Sequence, residues 1–392
     1  MKHLFAPVLI AASAYGTSAI AIIRCELNGR DINISNGAEL AGKTGLVRCR
    51  EDSTGQIQRE QELQNGRFMG LERMFDREGR LQRERTVNER GNSHGRVVDF
   101  WPDGKVRREE TADNGRTQGA VRRFDASGRV ERVSFHGDGQ ELFYVEYNAK
   151  GQPTRLLCPR ASVLPEDRKP CGFDGAADTL LYAESGARSA QLRYEQGRLL
   201  SATEWSSDGV VSAQQQVVDG RRVHRSFYTE GGKSVLREER VFAPDDRTLR
   251  DTRGQLLSTK RYGASGQIIE QRSFAAGREV QVERWYLNGS VRERSVWSGT
   301  GEQARLLREM YRDDGKLARR EQLNKDQWPV GAQQAFHENG RLAVEEQYSD
   351  PDARGRTRPT ARKQWDETGK LLADDTILED GSRQRKPGGL DS

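Results

Sequence analysis

One frame recurs along this chain and limits what it can fold into. An aromatic residue is followed four positions later by a glycine, and two positions after that by an aliphatic residue. The frame reads "FDREGRL", "FWPDGKV", "FDASGRV", "YNAKGQP", "WSSDGVV", "YTEGGKS", "YGASGQI", "WYLNGSV", "YRDDGKL", "FHENGRL" and "WDETGKL". The aromatic positions, expected to form the core of the repeat, are Phe75, Phe100, Phe124, Tyr147, Trp205, Tyr228, Tyr262, Trp285, Tyr311, Phe336 and Trp365. The glycines are Gly79, Gly104, Gly128, Gly151, Gly209, Gly232, Gly266, Gly289, Gly315, Gly340 and Gly369. All eleven copies keep the aromatic, although aromatics make up only 7% of the chain, and nine keep the aliphatic, with Pro153 and Ser234 as exceptions.

The frame is that of a tight β-hairpin. Asp76, Asp125 and Asp366 stand where a turn favours a side chain that bonds its own backbone, and Pro102 suits a φ near −65°. The glycine then takes the left-handed conformation that closes a three-residue hairpin loop. Such a loop sets Phe75 opposite Leu81, Phe100 opposite Val106 and Tyr311 opposite Leu317, the aromatic–aliphatic pairs that hold sheets together. A second, looser turn, as in "NGRFMG", "GNSHG", "NGRTQG" and "NKDQWPVG", joins successive hairpins. Its last glycine (Gly70, Gly95, Gly119, Gly331) stands five residues before the next aromatic. The expected fold is all-β: an elongated single-sheet meander of antiparallel hairpins with a period of about 24 residues. The apolar supply agrees, because 34% hydrophobic residues against 31% charged is too thin for a thick two-layer core in 392 residues.

The Tyr/Phe-x-x-Asn-Gly-Lys-Leu core, as in "FHENGRL", and the Asn-Gly-x-x-x-Gly linker resemble the MORN-type repeat, in the variant of bacterial YwqK-like antitoxins. The resemblance covers residues 45–151 and about 190–372. It implies a repeat protein with an antitoxin-like role.

The chain opens "MKHLFAPVLIAASAYGTSAIAIIRC", with a basic start, no charge from Leu4 to Ile23, and a small-x-small triplet at Ala19-Ile20-Ala21. This pattern is a secretory signal cut after Ala21; the competing reading is an uncut anchor. Cys25, Cys49, Cys158 and Cys171 form an even set in an exported chain, which points to two disulfides. Three pairings exist. Cys25–Cys49 with Cys158–Cys171 closes the shortest loops and is favoured. Within the first loop, "GAELAGKT" (residues 37–44) matches the letters of a phosphate-binding loop. Its context does not: "GLVRCREDSTGQ" leaves no room for the helix whose N-terminus would face the phosphates. No nucleotide and no cofactor are expected.

The organisation expected is a signal peptide over 1–21, an N-terminal cap over 22–44, a first hairpin array over 45–151, a disulfide-stapled interruption over 152–189, a second array over 190–372 and a frayed polar tail over 373–392. The interruption is either a plain insertion or the part that meets a partner. His94, His136, His224 and His337 are scattered without metal-ligand spacing, and no G-x-S-x-G elbow exists, so no catalytic or metal residues are assigned. Acidic pairs such as Asp245-Asp246 and Asp313-Asp314 fall at turns. The Arg and Glu neighbours in "LQRERTVNER" and "VRERSV" read as cross-strand charge ladders. With 64 basic and 59 acidic residues interspersed, a nucleic-acid-binding tail is disfavoured.

Three function classes follow. The first is a monomeric, non-enzymatic envelope or periplasmic protein that binds a protein partner, such as a toxin or an envelope component, through the interruption or the sheet face beside it. The second, resting on a pI of about 9.0, is a binder of anionic phospholipid head groups or polysaccharide. The third, a hydrolase built on the interruption, has no positive support in the sequence.

Overall fold

The computed structural model describes residues 23–244, 249–352 and 354–386. The signal segment and Asp245-Asp246 lie outside them. The chain is built of antiparallel hairpins, as the repeat requires. The hairpins form two open sheets, one before and one after the interruption in sequence: twelve strands from Ile23–Leu27 to Pro153–Leu157, and seventeen from Ala177–Tyr182 to Arg383–Arg385. In the second sheet every strand pairs with its neighbours in sequence. In the first, Ile23–Leu27 lies between Arg30–Asp31 and Gly45–Glu51.

The hairpin loop is the one the glycine spacing demands. After Phe75, the Asp76 amide donates to the Arg80 carbonyl (2.9 Å) and the Gly79 amide to the Asp76 carbonyl (3.0 Å). The same pair of bonds follows Phe100, Phe124, Trp205, Tyr262, Trp285, Tyr311, Phe336 and Trp365. Gly79 has φ +77 and Gly104 φ +84, where a side chain would be strained. Phe75 pairs with Leu81, Phe100 with Val106, and Tyr311 with Leu317. Each of these hairpins carries one extra residue next to the aliphatic, Gln82, Arg107 or Ala318, a bulge that sharpens the local twist.

Two of the four linkers, at Asn65-Gly66 and Asn114-Gly115, turn more tightly than their sequence suggests, while those at Asn88–Asn92 and Asn324–Trp328 repeat the bond pair of the hairpin loop. Asn65 and Gly66 both have positive φ (49 and 80), the signature of a two-residue turn that matches strand twist. Gly70 (φ +88) is not part of that turn; it lies within the strand Arg67–Phe75.

The interruption is shorter than 152–189. Pro153–Leu157 belongs to the first sheet, and Ala177–Tyr182 and Arg188–Glu195 open the second. Tyr182 and Gly186 even form a twelfth copy of the hairpin, with Arg188 in place of the aliphatic. Nor does the array end at 372. Leu371–Ile377 and Arg383–Arg385 pair across a further such turn, in which Ile377 stands in the aromatic slot.

What remains of the interruption is a cap, built like the one at the N-terminus. The disulfides are Cys25–Cys49 and Cys158–Cys171. Each cap contains a four-residue helix, Gly37–Leu40 or Pro165–Arg168. Each clamps the two-residue turn that follows the first long hairpin of its sheet. The Lys43 carbonyl accepts from the Gly66 amide (2.8 Å) and Thr44 Oγ1 from the Asn65 amide (3.0 Å). Likewise the Gly172 carbonyl accepts from Gln196 (3.0 Å) and the Cys171 carbonyl from Gly197 (2.8 Å). The second cap is pinned from inside by Asp167. Its fully buried carboxylate accepts from Ser162 Oγ (2.7 Å) and from the amides of Val163 (2.6 Å) and Leu164 (3.1 Å). Loop 159–170 is therefore a docked structural element, not a projecting one.

Candidate binding surface

A single sheet has no second layer to bury its side chains. All eleven frame aromatics are accordingly half-buried, not core. Several residues that do reach burial, such as Val97, Val121 and Val282, stand three positions before an aromatic and so point to the opposite face, whereas Val98, Phe143 and Val145 stand two or four positions before one and are buried on the aromatics' own face.

Register places the aromatics on one face with one exception. Arg225 pairs with Glu239, which pairs with Lys260, and Lys260 shares a face with Tyr262. By alternation the residue on that face is Phe227, which pairs with Leu236; Tyr228 points the other way and pairs with Val235. The loop that follows is longer and contains a short 3-10 turn over Glu230–Gly232.

Tyr228 occupies instead a position whose role the sequence does not disclose. The residue after the aromatic reaches the backbone carbonyl of the next repeat's aromatic. Trp101 Nε1 donates to Phe124 (3.2 Å), the Tyr228 hydroxyl to Tyr262 (3.3 Å), the Tyr286 hydroxyl to Tyr311 (2.8 Å) and Arg312 to Phe336 (2.7 Å). His337 Nε2 lies 2.9 Å from the Trp365 carbonyl. These clasps tie hairpin to hairpin across the loop ends.

Beside the aromatics runs a charge ladder. In the first sheet it links Arg48 to Glu60 (2.8 Å), Glu60 to Arg73 (3.7 Å), Arg73 to Glu84 (2.8 Å), Glu84 to Arg96 (3.9 Å) and Arg96 to Glu109 (3.2 Å). In the second sheet the same row holds Arg225–Glu239 (2.7 Å), Glu283–Arg294 (2.8 Å) and Glu309–Arg320 (2.8 Å). The opposite face has its own row, from Arg261 through Glu270, Arg284, Glu293 and Arg308 to Glu321. Burial alone would raise the Glu270 pKa, but hydrogen bonds from Arg272 and Arg284 hold it below the ordinary carboxylate value. Glu309 is lowered in the same way: burial opposes, and bonds from Tyr311 and Arg320 prevail.

The histidines are dispersed. His94 meets Asp113 (3.0 Å), His136 meets Glu141 (3.5 Å) and His224 meets the Leu249 carbonyl (2.7 Å). Among the described residues no three His, Cys, Asp or Glu side chains gather as a metal site. Asp314 sits in a hairpin turn, where bonds from Lys316 lower its pKa. An open concavity of about 580 Å³ is lined by Tyr228, Arg237, Arg240, Arg261 and Arg272 with Glu238 and Glu270, and by the frame aromatic Tyr262.

Residues 329–350 match the family model of the MORN repeat variant, so the chain carries a MORN-type repeat. No curated protein matches the chain. Among solved structures, the crystal structure of TcdB2-TccC3-TEV is similar at 11% identity, covering 87% of this chain and 20% of that one, with a TM-score of 0.18. That of TcdB2-TccC3 is similar at 14% identity over 86% and 20%, with a TM-score of 0.16. A protein of unknown function from Bacteroides fragilis NCTC 9343 is similar at 12% identity over 43% of this chain and 95% of that one, with a TM-score of 0.11. The chain spans about a fifth of the length of the TcdB2-TccC3 chains.

Proposed function

We propose that this is a non-enzymatic, exported repeat protein of the bacterial cell envelope that binds a protein partner, in an antitoxin or immunity-like role. One observation carries the reading: a stripe of half-exposed aromatic–aliphatic pairs repeats hairpin after hairpin on one face of each sheet, beside a ladder whose charges neutralise one another. Partly exposed aromatics on a rigid backbone supply contact area at little entropic cost, which is what protein interfaces use. Paired charges leave little net field to draw a polyanion. Two disulfides suit an oxidising compartment. The test is native mass spectrometry of complexes captured from envelope extract. A one-to-one protein complex, weakened by Phe100→Ser with Phe124→Ser, supports the reading. Capture unchanged by those substitutions overturns the stripe as the surface, and no capture overturns the function.

The Arg-lined concavity favours a second reading, attraction of anionic head groups or polysaccharide, since four arginines there face two glutamates. Salt-dependent binding of anionic vesicles, with no protein complex, would select it.

A further inference from the structure

The four linker glycines sit in one geometric setting, and the first departs from the others. Beside each lies the side chain five positions past the aliphatic slot of the preceding strand. A Cβ on Gly95 would touch Thr86 (3.7 Å), one on Gly119 would touch Thr111 (3.9 Å), and one on Gly331 would press on Gln322 (2.9 Å). At Gly70 the neighbour is Glu62, whose carboxylate lies where a Cβ would be. Uncharged residues fill this position in the other three linkers; here a carboxylate does.

No cation among the described residues bonds it: Arg73, which lines the same cleft, is held by Glu60 and Glu84. The residue after the glycine is Arg96 in the next repeat, where it bridges Glu84 and Glu109; here it is Leu71. Glu62 pairs across the ladder with Leu46. Among the described residues it forms no ion pair, whereas its neighbour Glu60 is shared by Arg48 and Arg73. Glu62 is half-buried in an open cleft of about 640 Å³ that Leu46, Leu71, Glu60, Arg73 and Thr44 also line. A half-buried carboxylate between leucines loses hydration, and the one side-chain bond it accepts, from Gln64 Nε2 at 3.5 Å, is long and brings no charge. The cleft adjoins the end of "GAELAGKT", and its carboxylates would repel a phosphate.

We infer that this cleft seats a basic side chain of the protein partner: an arginine or lysine whose aliphatic stem lies on Leu46 and Leu71 and whose cation meets Glu62. The inference rests on the protein-partner reading and refines it. Long basic side chains bury their stems on apolar surface while the head finds a charge.

The test uses the full chain and two probes, N-acetyl-arginine methylamide and its uncharged norleucine counterpart. Amide signals of Leu46, Gly70 and Leu71 are followed by NMR. The arginine probe should give saturable shifts, at least fivefold tighter than norleucine. Glu62→Thr, which installs the residue found at Thr86 and Thr111, should remove that preference without lowering the melting temperature. Equal response to both probes, or an unchanged preference in Glu62→Thr, overturns the cleft. Partner capture is measured on the same two proteins. Capture weakened at least fivefold by Glu62→Thr supports the seat, and unchanged capture overturns its assignment to the partner. Failure of even the native chain to capture a protein overturns the partner reading, while the probe result judges the cleft separately.

Discussion

Glu72 offers the sharpest test of how a sheet without a second layer stays folded. Its side chain is 2% exposed and lies between Arg59 (2.7 Å) and Arg85. Its cross-strand neighbour Gln61 is equally buried. Removing one member of a buried pair typically costs about 3–5 kcal/mol, because the other charge is stranded. Arg59 and Arg85 are 38% and 27% exposed, so both can regain water. Glu72→Ala should then cost about 2–3 kcal/mol, at the low side of that range. The double variant Glu72→Leu with Arg85→Leu leaves only the more exposed Arg59 without its partner and should cost less than the single one. The assay is denaturant unfolding with hydrogen exchange on the strands Ile57–Gln64, Arg67–Phe75 and Leu81–Val87. Adding salt should barely change the Glu72 effect, in contrast to the exposed Arg67–Glu89 pair. A loss below about 0.5 kcal/mol, within the range of an exposed surface pair, or a double variant worse than the single, would refute the reasoning.

Other outcomes follow from the same geometry. Phe100→Ala should cost about 1.5–2.5 kcal/mol in a melting experiment, roughly half the figure for a fully buried phenylalanine, because the ring is half-exposed. Gly104→Ala meets no atom within 4 Å and should cost only about 1 kcal/mol of backbone strain, whereas Gly197→Ala drives a Cβ into the Pro159 carbonyl and should cost clearly more in the same assay. Replacing Cys158 and Cys171 with serine should destabilise the second cap by about 3 kcal/mol, read as faster exchange at Gln196 and Gly197. Glu270 and Glu309 have lowered pKa values, so their contribution is complete above the unfolded carboxylate range and is lost as pH falls through the folded values. His224, lowered first by burial, favours the neutral form, so its contribution fades as pH drops below about 6.5. Circular dichroism between pH 7 and 2 should show stability declining on acidification, and His224→Gln should remove the part near pH 6.

The hairpin was legible because its chemistry is local. An aromatic, a turn-forming residue, a glycine and an aliphatic within seven positions determine their own loop. Where the frame was ambiguous, distant pairing decided. Phe227 and Tyr228 are adjacent aromatics before two glycines, and only the neighbouring strands' register selects Phe227. The hairpin at Tyr182 lacks the full frame because Arg188 replaces the aliphatic, and the last one because Ile377 replaces the aromatic. The cysteine spacing allowed the disulfides to be paired, but nothing local in 159–170 shows that the segment clamps a turn some thirty residues on. The Glu62 cleft was hidden for the same reason. Its neighbours Leu46, Leu71 and Gly70 come together only through strand pairing and a bulge.

The central claim is that the aromatic stripe of a folded, charge-laddered sheet meets a protein. Hydrogen exchange of the captured complex against the free chain measures this directly. The account predicts protection on the hairpins carrying Phe75, Phe100 and Phe124, persisting at high salt. Protection confined to the arginine-lined concavity, or binding that vanishes as salt is raised, would contradict it.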